Sequence, residues 1–334
     1  MDRQLPYNYD GSSCFMDSLF CALFFPGKLT VVDPYLLLGK RVRQSTQQHE
    51  DLCQVLRVVA KCIRGVLVAD VKTYQSVRPL LSHYLLQLDG TDFKRNQHDP
   101  ADLYEALLRT LNVGGVFVTK KTVESLYNTG KQTQEVTTDQ MFRYSVHYSV
   151  MVGRPKFEAL FPWVETMVLE TKQQQEQKRE QNLEQPEERL IKQRTIVEFG
   201  GGPVLVLTRE VFSMTGPMNG APVEYGRWSA STGACVLPLL NTVSKTVQWY
   251  ELQSVLCWRG FQSPMGGEGG HYVCYVYEDA SQQWYLYNDL HRQSENQFAE
   301  LEAVRDPERH ASYNPSIHGM MFIYALIPRP PSDF

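Results

Sequence analysis

The sequence predicts an α+β fold in which a helical N-terminal third is followed by an antiparallel β-sheet. Two patterns carry this prediction. Apolar residues recur at helical spacing from about 47 to 88 and again from about 100 to 111. After about residue 116, short alternating runs of β-branched and aromatic residues take over. No self-similarity at a period of roughly 20 to 50 residues is visible, so a repeat architecture is not supported.

Three predicted helices account for the N-terminal third. The first begins at Cys14, is dense in apolar residues, and is expected to be capped by Ser12 or Ser13. Amphipathic stretches between about 47 and 88 form the next helical region. The last helix runs from Pro100 to Leu111, with the preceding aspartate as its cap and proline in its first turn.

The predicted strands are short and are bounded by turn residues. They cover 116–118, 144–150, 166–170, 204–207, 247–250, 255–258, 272–277 and 284–287. Between two of them, residues 172–194 are rich in Gln, Glu, Lys and Arg and are broken by Pro186. This segment is expected to be an exposed helical arm or a partly disordered insertion, acting as a spacer or as a partner-binding helix.

Composition narrows the class of protein. The chain has 334 residues, 43% hydrophobic residues and a net charge of −4, which suits a large core in one big domain or two small ones. Without a basic patch, nucleic acid is not an expected partner. No signal peptide and no membrane-length apolar run is found, so no membrane association and a cytoplasmic or nuclear location are expected.

The seven cysteines are scattered and form no Cys-x-x-Cys pair. Neither a disulfide framework nor a zinc site is therefore predicted, and no metal or cofactor is expected. Cys14 differs from the others because it stands at the start of an apolar helix. There the helix dipole and the free N–H groups favour negative charge, so the thiol pKa is expected to be lowered and Cys14 is a candidate nucleophile.

A matching base lies far away in the sequence. His271 opens a predicted strand after a glycine-rich loop, and a second strand ends at Asn288 and Asp289. A hairpin of this kind places the end of the second strand near the start of the first. Asn288 is therefore expected to hold the imidazole of His271 in the tautomer that accepts a proton from Cys14.

These segments resemble a known family. Residues 13–20 resemble the cysteine box of the ubiquitin-specific proteases, and residues 270–272 with 284–289 resemble their histidine box. Three shorter matches lie between the boxes in the family's order, at 97–104, 203–212 and 250–256. The resemblance covers nearly the whole chain.

The resemblance implies a papain-like cysteine protease fold with thumb, palm and fingers. It implies one catalytic domain over 1–334, with a helical thumb to about 115 and the palm and fingers from about 116. The implied activity is deubiquitination, the thiol-dependent hydrolysis of the peptide or isopeptide bond after the C-terminal glycine of ubiquitin. Cys14, His271 and Asn288 are the implied catalytic residues. The substrate tail is expected to pass Gly266, Gly267, Gly269, Gly270 and Tyr272.

The chain departs from the family pattern in places. The family usually has an oxyanion-donating Asn five residues before the nucleophile, but Tyr9 stands there, and Asn8 is a substitute only if the loop differs by one residue. Asp289 is expected either to order water or the oxyanion loop, or to cap the turn. Paired zinc-binding cysteines of the fingers are absent. Asp17, three residues after the nucleophile, makes the chain similar to the cylindromatosis-type branch, which implies a preference for linear and similarly extended ubiquitin chains.

Two alternatives remain open. One is a non-catalytic ubiquitin-binding module, and the other is a protease for another ubiquitin-like modifier. If the chain were a pathogen effector, the host cytoplasm would be its place of action. The tryptophans, including Trp258, are interpreted as core residues.

Overall fold

The computed structural model shows a helical N-terminal region followed by antiparallel sheets. It describes residues 4–6, 13–25, 46–64, 71–93, 98–111, 115–146, 156–168, 190–209, 212–213, 216–217, 222–262, 268–293, 298–310 and 312–330. The predicted α+β class is confirmed. Within the described residues, none of the helices combines the length and hydrophobicity that a bilayer-spanning segment needs.

Four helices lie where helical spacing predicts them. They are α1 (Cys14–Phe24), α2 (Gln47–Ile63), α3 (Val71–Leu88) and α4 (Pro100–Thr110). Helix α4 begins as expected, because the Asp99 side chain accepts a hydrogen bond from the Ala101 N–H at 2.8 Å. The expected side-chain cap of α1 is wrong for Ser13, whose backbone is already helical and whose hydroxyl makes no capping bond. Ser12 lies outside the described residues.

The strands follow in chain order and are numbered β1 to β16. Their bounds are Gln4–Pro6, Phe117–Tyr127, Gln132–Met141, Tyr144–Val146, Trp163–Val168, Leu190–Gly201, Val204–Arg209, Phe212–Ser213, Gly216–Pro217, Arg227–Trp228, Cys235–Asn241, Thr246–Gln262, Glu268–Glu278, Gln283–Gln293, Phe298–Val304 and Gly319–Ile327. The two strands predicted at 247–250 and 255–258 are parts of one long strand, β12. The predicted strand segments do not include β1, β3, β6, β8, β9, β10, β11, β15 or β16. Strand β1 pairs with β15.

Among the described residues, the main sheet has ten strands and follows the order β1-β15-β14-β13-β12-β16-β7-β4, with β11 paired to β12 and β10 paired to β11. Strand β12 is central because it pairs with β11 and then β13 along one side and with β16 along the other. Strands β12, β13 and β14 are consecutive and antiparallel. Helix α1 packs on β13 and β12, so the N-terminal helix lies against the hairpin that carries the predicted base.

A separate four-stranded sheet has the order β3-β2-β6-β5. Its edge strand β3 is exposed along nearly its whole length. The charged segment 172–194 was expected to be a helical arm or a partly disordered insertion. Its last residues, 190–194, instead form the start of strand β6 and pair with β2 and β5. Alternate residues of β6 become buried only toward its end, where it meets the core. Cross-strand pairing outweighs the helical propensity of the local sequence here.

Arg209 is a buried cation at the end of β7. Its guanidinium donates hydrogen bonds to the carbonyls of Ile317 and Gly319, which flank the end of a short helix, α5 (Pro315–His318). Burial lowers the pKa of Arg209 to about 10, so the side chain is still charged near neutral pH. This contact joins α5 to the sheet close to the predicted site.

Replacing Arg209 by alanine is expected to lower the free energy of unfolding by about 2–4 kcal/mol, because two buried carbonyls lose charged donors. Arg227→Ala is the matched control. Its side chain is half-exposed and pairs with Glu158 at the surface, so a loss below about 1 kcal/mol is expected. Urea denaturation followed by tryptophan fluorescence measures both. Equal losses would contradict the structural importance of the buried cation.

Candidate active site

The structure brings Cys14, His271, Asn288 and Asp289 together at one end of helix α1. Cys14 is the first residue of α1, His271 lies in β13, and Asn288 and Asp289 lie in β14. All four are buried, with exposed fractions of 2%, 3%, 4% and 0%. Residues separated by more than 250 positions in the sequence therefore share one site because α1 packs across the β13–β14 hairpin.

The orientation of His271 is set by β14. Its Nε2 atom lies 2.8 Å from Oδ1 of Asn288 and 3.2 Å from Oδ1 of Asp289. Because an amide oxygen only accepts, the Nε2 atom is the donor in this pair and carries the proton. The other ring nitrogen, Nδ1, is then the one that is able to accept a proton.

Pairing between β13 and β14 stops just before these residues. The last pair in register is Cys274 with Tyr287, and the pairing of β14 with β15 is irregular between Tyr287 and Arg292. The β14 backbone is therefore not a regular neighbour of β13 at His271. This irregularity lets the side chains of Asn288 and Asp289 reach back to the imidazole.

The pKa of the Cys14 thiol is subject to two opposing effects. Burial is the largest effect and raises its pKa to about 12, and the nearby carboxylates of Asp289 and Asp17 act in the same direction. Backbone N–H groups of Tyr272 and Phe15 point at the sulfur and lower the pKa. The expected lowering by the helix N-terminus is thus outweighed, because a buried thiolate beside two carboxylates loses more solvation than the backbone dipoles restore.

Asp289 is an unusual carboxyl group. Burial, followed by repulsion from Asp17, raises its pKa to about 8. Neither of its oxygens makes a hydrogen bond within the part of the chain that the structure describes. The 3.2 Å approach to His271 is an ion-pair distance and not a well-directed hydrogen bond. Asn288 is therefore the hydrogen-bonding partner of the imidazole, while the Asp289 carboxyl, whose raised pKa keeps it protonated near neutral pH, lies beside the ring.

Three of the site residues predicted from the sequence, Asn8, Gly266 and Gly267, lie outside the described residues. Gly269 and Gly270 continue β13 and pair with β12. Tyr272 is buried beside Cys14, and burial raises its pKa well above the ordinary value.

Three nearby residues were not assigned to the site from the sequence. The Tyr313 ring meets the His271 ring edge-on with centroids 6.5 Å apart. Asp17 was noted only for its spacing from Cys14. Trp258, interpreted as a core residue, is only partly buried and lies on the strand beside His271. Packing between elements that are distant in the sequence decides the contacts of Tyr313 and Trp258 with the site, and the sequence carries no direct signal for it.

The raised pKa of Asp289 predicts how stability changes with pH. A folded-state pKa of about 8, above the ordinary 3.8, means that the folded protein keeps a proton that the unfolded chain releases. This contribution is fully present below the unfolded pKa and is lost as pH rises through about 8. Asparagine mimics the protonated acid and does not titrate. Asp289→Asn is therefore expected to raise the melting temperature relative to wild type more at pH 8 than at pH 5.

Differential scanning fluorimetry across pH 5 to 8 measures this difference. Asp139→Asn is the control, because Asp139 is an exposed residue of the edge strand β3. A melting-temperature difference for Asp289→Asn that does not change with pH would show that the carboxyl is not held protonated in the fold.

Comparison with solved structures shows the fold. A Ubp8/Sgf11/Sus1/Sgf73 module bound to monoubiquitin matches with a TM-score of 0.62 and 12% identity, covering 99% of this chain and 70% of that chain. The same type of module bound to ubiquitin aldehyde matches with a TM-score of 0.59 and 12% identity, over 99% and 70%. A yeast module matches with a TM-score of 0.57 and 14% identity, over 99% and 69%.

Sequence comparison gives the family. No curated protein sequence matches this chain at a significant level. The family model described as ubiquitin carboxyl-terminal hydrolase matches residues 8–314, a span that contains all four residues brought together at the N-terminus of α1. The chain belongs to the ubiquitin carboxyl-terminal hydrolase family and is a cysteine-type ubiquitin hydrolase.

Proposed function

We propose that this protein cleaves the bond after the C-terminal glycine of ubiquitin with Cys14 as nucleophile, His271 as general base and Asn288 as the residue that orients the base. The observation that carries the proposal is the 2.8 Å contact between His271 Nε2 and Asn288 Oδ1 beside a buried cysteine at a helix N-terminus. The proposal takes residues 1–334 as one catalytic domain.

The first step follows from the protonation states at the site. Because burial raises the pKa of Cys14 to about 12, the thiol holds its proton near neutral pH in this conformation. His271 therefore accepts the proton at Nδ1 as the sulfur attacks the carbonyl carbon of the terminal glycine. The Nε2–H of the imidazolium that forms donates a hydrogen bond to Asn288 Oδ1, and the Asp289 carboxyl lies 3.2 Å from the same nitrogen.

The second step returns the proton. His271 donates it to the leaving amine, either a lysine side chain or an N-terminus, and a thioester joins ubiquitin to Cys14. Water, deprotonated by the same imidazole, then hydrolyses the thioester and restores the thiol. The backbone N–H of Cys14 at the start of α1 is proposed to stabilise the oxyanion, with Asn8 as a second donor.

Ubiquitin is proposed as the modifier because two of the similar solved structures hold monoubiquitin or ubiquitin aldehyde. The tail is proposed to run along the glycine-rich end of β13, past Gly266, Gly267, Gly269, Gly270 and Tyr272. Cleavage of another ubiquitin-like modifier uses the same chemistry, and the surface that grips the globular part of the modifier decides between them.

A non-catalytic ubiquitin-binding role is the second candidate function. The observation that favours it is the buried thiol with its raised pKa, together with Tyr9 at the position where the family usually carries an oxyanion donor. The Asn288–His271 contact favours catalysis, since binding alone has no need of an oriented imidazole.

Reaction with a ubiquitin probe that carries a C-terminal electrophile tests the proposal. Wild type is expected to form a covalent adduct, seen as a gel shift, and Cys14→Ala is expected to form none. Cys21→Ala is the matched control, because Cys21 is a buried cysteine on the same helix. No adduct with wild type would favour the binding role, unless probes built on other ubiquitin-like modifiers react.

Turnover of a ubiquitin substrate with a fluorogenic C-terminal amide tests the role of Asn288. Asn288→Ala is expected to lower kcat by about 10²-fold with little change in KM, because the imidazole loses its orientation. Asn288→Asp keeps an acceptor for Nε2 and is expected to retain most of the activity. Unchanged kcat in the alanine variant would contradict the proposed role.

The chain preference proposed from Asp17 is for linear and similarly extended ubiquitin chains. The solved structures compared above are Ubp8 modules and add no support for the cylindromatosis-type branch. A panel of di-ubiquitins of all linkages, cleaved in parallel, measures the preference. We expect linear di-ubiquitin to be cleaved at least about tenfold faster than compact linkages, a difference of about 1.4 kcal/mol in activation free energy. Comparable rates for all linkages would contradict this preference.

A further inference from the structure

The indole of Trp258 lies across two glycines on neighbouring strands. Gly260 in β12 and Gly270 in β13 are opposite each other in the antiparallel pair, and Trp258 is opposite Tyr272. A Cβ atom added to Gly270 would lie less than 3.0 Å from Cζ2, Cε2 and Nε1 of the indole. A Cβ atom added to Gly260 would collide with the far edge of the same ring. The aromatic ring therefore fills the space that both side chains would need.

This contact adjoins the candidate active site. Gly270 directly precedes His271 in β13, and Tyr272, whose backbone N–H points at the Cys14 sulfur, directly follows it. Residues opposite each other in a sheet share a face, so Trp258 and Tyr272 project from the same face of the sheet. The indole thus covers the backbone immediately before the base, on the face that carries Tyr272.

Within the described residues, the strand pairing of the backbone at His271 is with β12 alone. Pairing of β13 with β14 ends at Cys274, so within the described residues the ladder partner of His271 is Arg259 on β12. Two glycines opposite each other make a weak and flexible stretch of sheet, because neither has a side chain to pack. A large aromatic residue laid over such glycines restores packing and fixes the strand register.

We propose that Trp258 is a positioning residue for the catalytic base, holding the Gly270 backbone so that the imidazole of His271 faces Cys14. The proposal rests on the proposed function and deepens it. It also gives a second explanation for the glycine at position 270: the Trp258 indole occupies the space that a side chain there would need. The competing explanation is that Gly270 is glycine only so that the substrate tail approaches closely.

Four variants separate these explanations: Trp258→Ala, Trp258→Phe, Gly270→Ala and the double variant Trp258→Ala/Gly270→Ala. Turnover of the fluorogenic ubiquitin substrate gives kcat and KM for each. We expect Trp258→Ala and Gly270→Ala each to lower kcat by about 10²-fold, the cost of a displacement of about 1 Å in a catalytic group, with KM changed less than about threefold. Trp258→Phe keeps an aromatic ring and is expected to recover most of kcat.

The double variant is the sharpest test. Removing the indole makes room for the methyl group of alanine at 270, so the double variant is expected to be no worse than either single variant. If Gly270 serves only substrate approach, Gly270→Ala raises KM, and the losses of the two single variants multiply in the double variant. That result, or a Trp258→Ala variant with the kcat of wild type, would overturn the proposal.

The rate at which iodoacetamide alkylates Cys14 reports on the position of His271 in the absence of ubiquitin or a ubiquitin-like protein. The rate, followed by mass spectrometry of the Cys14 peptide from pH 6 to 10, depends on the neighbouring imidazole. Trp258→Ala and Gly270→Ala are expected to shift this pH profile in the same direction, and Trp249→Ala, on the same strand away from the site, is expected to leave it unchanged. Identical profiles in all variants would overturn the positioning role.

The two levels of failure are distinguishable. An inactive wild type with shifted alkylation profiles would contradict the proposed function and support the positioning role. If the wild type is active and the Trp258 variants have the same kcat and alkylation profile as wild type, the proposed function is supported and the positioning role is contradicted. If Trp258→Ala does not fold, Gly270→Ala compared with Trp258→Phe/Gly270→Ala tests the same steric conflict with the aromatic ring kept.

Discussion

The packing of helix α1 against strand β13 is the contact on which the site depends. Every residue of α1 is buried, so packing on all sides fixes the position of the helix. The start of the helix places Cys14 beside Tyr272, and farther along Cys21 contacts Cys274. Near the end of α1, Ser254 of β12 donates a hydrogen bond to the Ala22 carbonyl at 3.4 Å. These contacts set both the position and the rotation of the helix, and with them the place of the thiol.

The burial that forms the site also opposes the ionisation of its cysteine and its carboxyl group. Removing Cys14 and Asp289 from water favours their neutral forms, which is why their pKa values rise to about 12 and about 8. In the proposed mechanism a proton therefore moves to His271 as the sulfur attacks, and Asn288 Oδ1 accepts a hydrogen bond from the imidazolium that forms. Catalysis in this arrangement depends on the position of the imidazole more than on a preformed thiolate.

That position is set by irregular parts of the sheet. Strand β14 leaves β13 near Tyr287, which allows Asn288 and Asp289 to reach His271 by their side chains. On the other side, Trp258 covers Gly260 and Gly270, where regular side-chain packing is missing. One face of the hairpin thus supplies hydrogen bonding and the other supplies packing. An isolated regular hairpin would bring the same backbone together without aiming the ring.

Local sequence was sufficient for the fold class, the helices and fewer than half of the described strands, because apolar periodicity and caps such as Asp99 act over a few residues. It also identified Cys14, His271 and Asn288 as residues to bring together, since their types and flanking motifs carry chemical meaning. It failed at β1 and at residues 190–194, where pairing with distant strands decides the conformation. The tertiary structure alone decided the direction of the Cys14 pKa shift, the closeness of Asp17 to Asp289, and the place of the Trp258 indole. Burial and strand register are properties of the assembled chain, and no short segment of sequence contains them.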